Sequence, residues 1–334
     1  MSEAFLFAGL KVLDVGSWIA GPVAATMLAD FGADVIKIEM PGVGDQYRQL
    51  SAAANTPVAD SNYMWQMDGR NKRSLALNLK TEAGMTILHQ LIAECDVYIT
   101  NHPLPMRRAL QLNYEDLKPL NPSMIYASLT AYGETGPDKD MEGFDLVAYW
   151  ARTGLMDLVR APGAAPTQAL PGMGDHPSAV SLYAGIVTAL LKRERSGEGG
   201  MVHTSLLANG LWSMACIAQG GFAGGSFDSY RALKATHLFA TTLYRTQDDR
   251  WLQFTMVRAP EDVVRLFETI GLADIIREER FTTPEGRFEH GEELARLVQD
   301  VLSLHDSEHW LARFSAAGIN ANRVGVIEET LNDE

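Results

Sequence analysis

The chain has 334 residues, 46% of them hydrophobic, with two cysteines and a formal charge of −14. That length suits two domains rather than one core, no apolar run approaches the ~20 residues of a membrane span, so no membrane partner is expected, and the acidic balance argues against a nucleic-acid partner while leaving room for a local anion site. Cys95 and Cys216 stand far apart in apolar contexts and read as buried free thiols; the segment MSEAFLFAGLKVLDVG lacks the make-up of a secretory leader, and a cytoplasmic protein is expected.

Residues 11–15 (KVLDV) form a short β-rich run, followed by the loop 16–22 (GSWIAGP), a small-residue helical run, and a second strand at 34–39 (DVIKIE). This is a β-loop-α-β unit that opens a parallel sheet. Gly16, Gly21 and Pro22 do not make the three-glycine dinucleotide fingerprint. Residues 45–68 read as irregular. A strand at 74–79, a helix from 80 to 93, strands at 96–100 and 124–129, and a short helix between them continue the alternation. It predicts a doubly wound, Rossmann-like α/β domain whose ligand lies beyond the carboxyl ends of the strands. Those ends carry 16–22, Asn101-His102 and 130–133, with Lys72, Arg73, Lys80, Arg107 and Arg108 as candidate phosphate contacts or plain surface charges.

An apolar helix is expected over 144–156, then a Pro/Ala/Gly-rich linker and the stretch 171–191, PGMGDHPSAVSLYAGIVTALL. Its Gly-rich loop ends at Asp175-His176-Pro177 and runs into a long apolar, Ala-rich helix. Asp175 reads as an N-cap. It reads also as a carboxylate kept ionised by the helix N-terminus and open to a substrate, hence a covalent nucleophile. His176 has a modest claim to touch ligand. A strand at 201–206, a helix at 207–218 and a flexible loop at 220–225 follow. From 226 the character changes: strands at 237–244 and 250–256 around a hairpin turn, helices at 261–270, 291–304 and 307–317, and a last strand at 320–326 give a smaller α+β domain. The division is thus 1–225 and 226–334. His290, His305 and His309 form no metal-like constellation, so no metal is expected.

The segments GLKVLDVGSWIAGP, LADFGADVIKIEMPGVGD, NKRSLALNLKTEAG, DVYITN, YASLTAYGETGP, GFDLVAYWARTGLM, GMGD and RERSGEG, in this order, resemble the class III coenzyme A transferases. The resemblance implies a CoA-transferase that moves CoA between an acyl-CoA donor and a carboxylic acid through an aspartyl anhydride and an aspartyl-CoA thioester. Asp175 would be the nucleophile. CoA, a substrate and not a resident cofactor, would lie along Trp18, Ile19, Ala20, Leu77, Lys80, Asn101, His102 and Tyr132, with Lys72, Arg73 and Arg108 helping at the phosphates. Met40, Ala109 and Thr130 stand where relatives carry basic contacts. An interlocked homodimer is implied, and so is a longer chain returning to the first domain. The alternatives are an acyl-CoA racemase, for which Phe144 stands where a His precedes the Asp of the GFD motif, and a non-catalytic CoA-binding homologue.

Overall fold

The computed structural model describes residues 5–52, 56–235, 238–255, 257 and 259–333. It divides into two compact units, one ending at Gly224 and the other beginning at Gly225.

The first unit runs β1 (Lys11–Asp14), α1 (Ala20–Asp30), β2 (Asp34–Glu39), α2 (Tyr63–Asp68), β3 (Lys72–Ala76), α3 (Glu82–Glu94), β4 (Val97–Thr100), α4 (Leu104–Ala109), α5 (Tyr114–Leu117), β5 (Ile125–Thr130), a π-helical segment Leu146–Ala151, α6 (Leu155–Val159), α7 (Asp175–Ser196), β6 (Gly200–Ser205), α8 (Leu206–Ser213) and α9 (Ala215–Phe222). The strands form one six-stranded sheet in the order β3-β2-β1-β4-β5-β6, and every pairing is parallel. The order reverses between β1 and β4, which makes their carboxyl ends the switch point of a doubly wound fold.

Period-two alternation explains why both sheet faces are covered. Val12, Val97 and Ile125 turn to one face, under the small residues Ala24, Ala25 and Leu28 of α1 and Leu182 and Ile186 of α7. Leu13, Tyr98 and Tyr126 turn to the other, under Leu88 and Ile92 of α3. The chain stops α7 with Gly197 at φ 73°, a left-handed position suited to glycine.

The region 45–68 is more ordered than its sequence suggests. A 3-10 turn at Gln46–Ala52 and α2 cover one end of α1, and residues 53–55 lie outside the described ones. The expected loop 220–225 is also partly helical: α9 runs through Gly220 and Gly221, and the turn comes at Gly224 with φ 88°. Cys95 is buried as expected, but Cys216 is exposed.

The second unit holds α10 (Phe227–Ala235), β7 (Tyr244–Arg245), β8 (Trp251–Phe254), α11 (Pro260–Thr269), α12 (Ala273–Ile276), α13 (Pro284–Glu289), α14 (Gly291–Leu302), α15 (Ser307–Ala316), β9 (Ala321–Arg323) and a last turn, Ile327–Thr330. Its three strands are antiparallel around a core that includes Phe254, Phe267, Phe281, Trp310 and Phe314. The strand expected over 237–244 reduces to its last residue. Residues 238–243 are turns in which Thr241 and Thr242 donate to Leu238 O, and Tyr244 Oη donates to Phe239 O at 2.6 Å. His237 and Met256, the outer ends of the two expected strands, lie outside the described residues. Among the described residues no helix is long and apolar enough to cross a membrane, and no cluster of His, Cys, Asp and Glu could hold a metal.

Candidate active site

The Gly-rich turn before α7 is built around a carboxylate from elsewhere in the chain. Asp145 is buried; its Oδ2 accepts the N–H groups of Gly172 at 2.9 Å and Gly174 at 3.4 Å, and its Oδ1 accepts that of Leu146 at 2.7 Å. Both glycines are required. Gly172 has φ 83°, and a Cβ on Gly174 would sit 2.7 Å from Tyr149 Cγ. Asp145 thus holds the turn that leads into α7, whose N-cap Gly174 has no side-chain cap. Asp175 is the first residue of α7, and among the described residues its carboxylate accepts no hydrogen bond, so it is not a cap. Because the N–H groups of Gly172 and Gly174 are already engaged, they are not free to serve as oxyanion donors.

Asp175 is partly exposed and lines a cavity of about 400 Å³ with Trp18, Ile19, Ala20, Leu129 and Phe144. Its ionisation differs from the expectation. Burial pushes its carboxyl up, the neighbouring Asp145 and Asp68 push it further, and His176 only partly opposes them, so it titrates at about 7. Desolvation and like charge outweigh the helix N-terminus here.

The second cavity, about 430 Å³, continues outward along the strand ends and is lined by Met40, Leu77, Leu79, Lys80 and Leu110. The two share Ser17, Gln46, His102 and Met106, so together they make one groove from Lys80 to Asp175. Asn101 staples its floor across the switch point. Its Oδ1 accepts from Ser17 N at 2.8 Å and its Nδ2 donates to Ser17 O at 2.6 Å. This close crossing explains Gly16, where a Cβ would lie 2.9 Å from Asn101 Oδ1. Trp18 takes φ 65°, unusual for a side chain of its size. It is held there by its N–H to Asp45 Oδ1 at 3.1 Å and by edge-to-face contact with Phe144. His102 lines both cavities. Burial, with Lys37 and Arg107 nearby, lowers its pKa to about 4, so the ring is neutral at pH 7 and its buried Nδ1 lacks a partner among the described residues. Tyr132 sits behind Gly143, a lining residue with no room for a Cβ beyond 3.1 Å from the tyrosine hydroxyl.

The basic residues separate sharply. Lys72 is spent inside the fold: its Nζ, buried, lies 2.9 Å from Asp14 Oδ2 and 2.6 Å from Pro22 O. Asp14 also meets Lys37, which in turn binds Asp45 at 2.8 Å. Arg73 pairs with Asp34 and Arg108 with Asp140, both on the surface and away from the groove lining. Arg107 is buried against Glu134 and Tyr126. The phosphate role expected of Lys72, Arg73 and Arg108 is thus not supported by where they lie. Lys80 alone of the candidates lines the groove, exposed and without an ion-pair partner among the described residues.

Sequence reasoning passed over Asp45 and Asp68 and noted Asp145 only within the GFD motif. No local pattern marks Asp45 or Asp68, since their partners, Ser17, Lys37, Tyr47 and His176, come from distant elements.

A doubly wound sheet with a groove at its switch point that ends at an unshared carboxylate has the layout of an α/β enzyme. The chain belongs to CoA-transferase family III, whose model matches residues 7–334. It is a CoA-transferase, and CoA thioesters are its substrates. It is 31% identical to the (R)-2-hydroxy-4-methylpentanoate CoA-transferase of Clostridioides difficile, over 98% of this chain and 82% of that one. It is 32% identical to the cinnamoyl-CoA:phenyllactate CoA-transferase of Clostridium sporogenes, over 98% and 80%. Among solved structures, a CaiB/BaiF family protein of Brucella suis superposes with a TM-score of 0.84 at 25% identity, covering 99% of this chain and 87% of that one. The Mycobacterium tuberculosis protein Rv3272 does so with 0.85 at 26%, with the same coverage.

Proposed function

We propose that this chain moves CoA between carboxylic acids with apolar side chains, with Asp175 as the covalent carrier. The carrying observation is the carboxylate itself: partly exposed, without a hydrogen-bond donor among the described residues, in a groove formed by two cavities that share Ser17, Gln46, His102 and Met106. An Asp175 oxygen attacks the thioester carbonyl carbon of the donor. The C–S bond breaks, CoA leaves as a thiolate, and an aspartyl-acyl anhydride remains. The thiolate then attacks Cγ of Asp175, the donor acid leaves as a carboxylate, and an aspartyl-CoA thioester is formed. The acceptor carboxylate attacks that Cγ and expels the thiolate; attack of the thiolate on the acceptor acyl carbon gives the new acyl-CoA and frees Asp175.

Lys80 at the outer end faces the CoA phosphates, and neutral His102 offers a hydrogen-bonding nitrogen where the two cavities meet. Trp18, Ile19 and Ala20 wall the reacting centre, Leu77 lines the outer floor, and Asn101 and Tyr132 hold the groove's shape from behind. The lining around Asp175 sets Trp18, Ile19, Leu129, Phe144 and Leu206 beside the polar Ser17, Gln46, Asn101, His102, Thr130 and Glu142; it contains no Lys or Arg among the described residues. Such a pocket suits a monocarboxylic acid with an apolar tail and lacks a cation for a second carboxylate. The names of the Clostridioides difficile and Clostridium sporogenes relatives, with 2-hydroxy-4-methylpentanoate and phenyllactate in them, support that class. We take the active form to be a homodimer: no residue of α9 is buried, and Trp212 and Phe222 are 79% and 86% exposed.

The test is to incubate the protein with a panel of acyl-CoA donors, quench with hydroxylamine, and find the modified peptide by mass spectrometry. A hydroxamate on Asp175, and faster exchange with apolar hydroxy acids than with dicarboxylates, is the expected result. No adduct together with full activity in Asp175→Ala overturns the reading.

A further inference from the structure

His176 follows the nucleophile candidate at once and stands in an unusual pair of contacts. Its Nδ1 is 2.9 Å from Gly172 O, and its Nε2 is 3.1 Å from Asp68 Oδ1. Both partners can only accept. A neutral imidazole carries one N–H and would set a lone pair against an oxygen; two N–H groups satisfy both. Asp68 is buried at the end of α2, and its other oxygen accepts the hydroxyl proton of the buried Tyr47. The carboxylate therefore has one hydroxyl and one imidazole to meet its charge. A cation in the first turn of a helix is disfavoured by the helix dipole, so the ring needs this carboxylate to stay charged.

We propose that His176 is a positioning residue that works as a fixed cation: Gly172 O and the Asp68–Tyr47 pair hold both its ring nitrogens protonated, and its charge governs the ionisation of Asp175 beside it. The proposal rests on Asp175 as nucleophile for its consequence and stands on His176, Asp68 and Tyr47 for its geometry. The charged groups facing Asp175 are Asp145 from the segment before the π-helical turn, Asp68 from α2 and His176 from its own helix; Glu142 lines the same cavity. His176 is the one positive member of that set, and the hydrogen bond it donates to Asp68 raises its own pKa above the ordinary histidine value. The ring also ties Gly172 O to α2, so one residue links the Gly-rich turn to the buried carboxylate.

Two measurements decide it. In 15N-histidine NMR of the whole protein, with His176→Gln to assign the signal among eight histidines, His176 is expected to carry both protons at a pH where the surface histidines have lost one. A ring that titrates with or below the surface histidines overturns the proposal, whatever the outcome of hydroxylamine trapping. In the pH profile of kcat/KM, His176→Gln is expected to move the acid-side inflection upward by about one unit, with about a tenfold loss at pH 6 that shrinks toward wild type by pH 9. A loss of the same factor at every pH would show a merely structural role. If trapping fails at Asp175 while the NMR result holds, the fixed cation stands and the nucleophile assignment falls.

Discussion

Asp175 is held in a state that costs the fold something. Its carboxyl titrates at about 7 because burial and then Asp145 and Asp68 oppose its charge. In the proposed mechanism the reactive form is the carboxylate, so kcat/KM should climb as pH rises through about 7 and level off above it. The stability sign is the opposite. A folded pKa above the unfolded value of about 3.9 means that the native state holds the proton more tightly, and stability falls as pH rises from about 4 to about 7. Asp175→Asn should therefore abolish transfer yet be more stable than wild type at pH 8, by about 2 kcal/mol after allowing for partial exposure, with the gain gone at pH 4. Urea titrations at the two pH values measure it; equal stability at pH 8 would mean the carboxylate is not destabilised.

The two lysines make a matched contrast. Burial pushes Asp14 up, but Lys37 and Lys72 overcome this and hold it below its ordinary value. Removing Lys72 leaves that buried carboxylate short of a partner, so Lys72→Met should lower stability by about 3 kcal/mol. Lys80→Ala should leave the melting temperature unchanged and raise KM for acyl-CoA several-fold, as measured by steady-state kinetics with one donor. From sequence the two were indistinguishable, since both sit in one basic stretch near strand ends. Only the tertiary structure separates them: the side chain of Lys72, in β3, is buried, whereas Lys80 is exposed in the loop after it.

At the scale of elements, the Gly-rich turn before α7 depends on a segment almost thirty positions earlier. Asp145 supplies two of the hydrogen bonds that shape the Gly-Met-Gly turn. Asp145→Ala should loosen that turn and lower kcat by tenfold or more, and it should also bring the inflection of Asp175 below 7, because a repelling charge is gone. Stopped-flow acylation over pH reads both effects. Most of the alternating strands and helices up to residue 130 were legible because β1, β4 and β5 are short apolar runs between turn residues, the signature of buried parallel strands, whereas the largely exposed β3 (KRSLA) starts and ends earlier than the strand expected at 74–79. Of the strand expected at 237–244 the described residues 238–243 form turns and Tyr244 alone joins β7: the alternating apolar and polar residues are compatible with a turn once Leu238 O is taken by two threonine N–H groups. Likewise Gly220 and Gly221 read as a loop but continue α9, since glycine permits a helix even while it weakens one.

At the scale of the molecule, the proposed homodimer has a direct measure. Light scattering on the intact protein should give about twice the 36.6 kDa of the chain, and Trp212→Glu with Phe222→Glu should shift it toward the monomer. A wild-type monomer at micromolar concentration would remove that assembly from the account. Taken by itself, the order of residues determined the class of sheet, the start of α7 and the family, because these follow from local periodicity, turn chemistry and a set of segments in fixed succession. The tertiary structure alone decided which cations reach the groove, that Asp145 and not Asp175 holds the Gly-rich turn, and that Asp175 titrates near neutrality. Those properties depend on burial and on charges brought together from remote positions, and neither is written in any short stretch of chain.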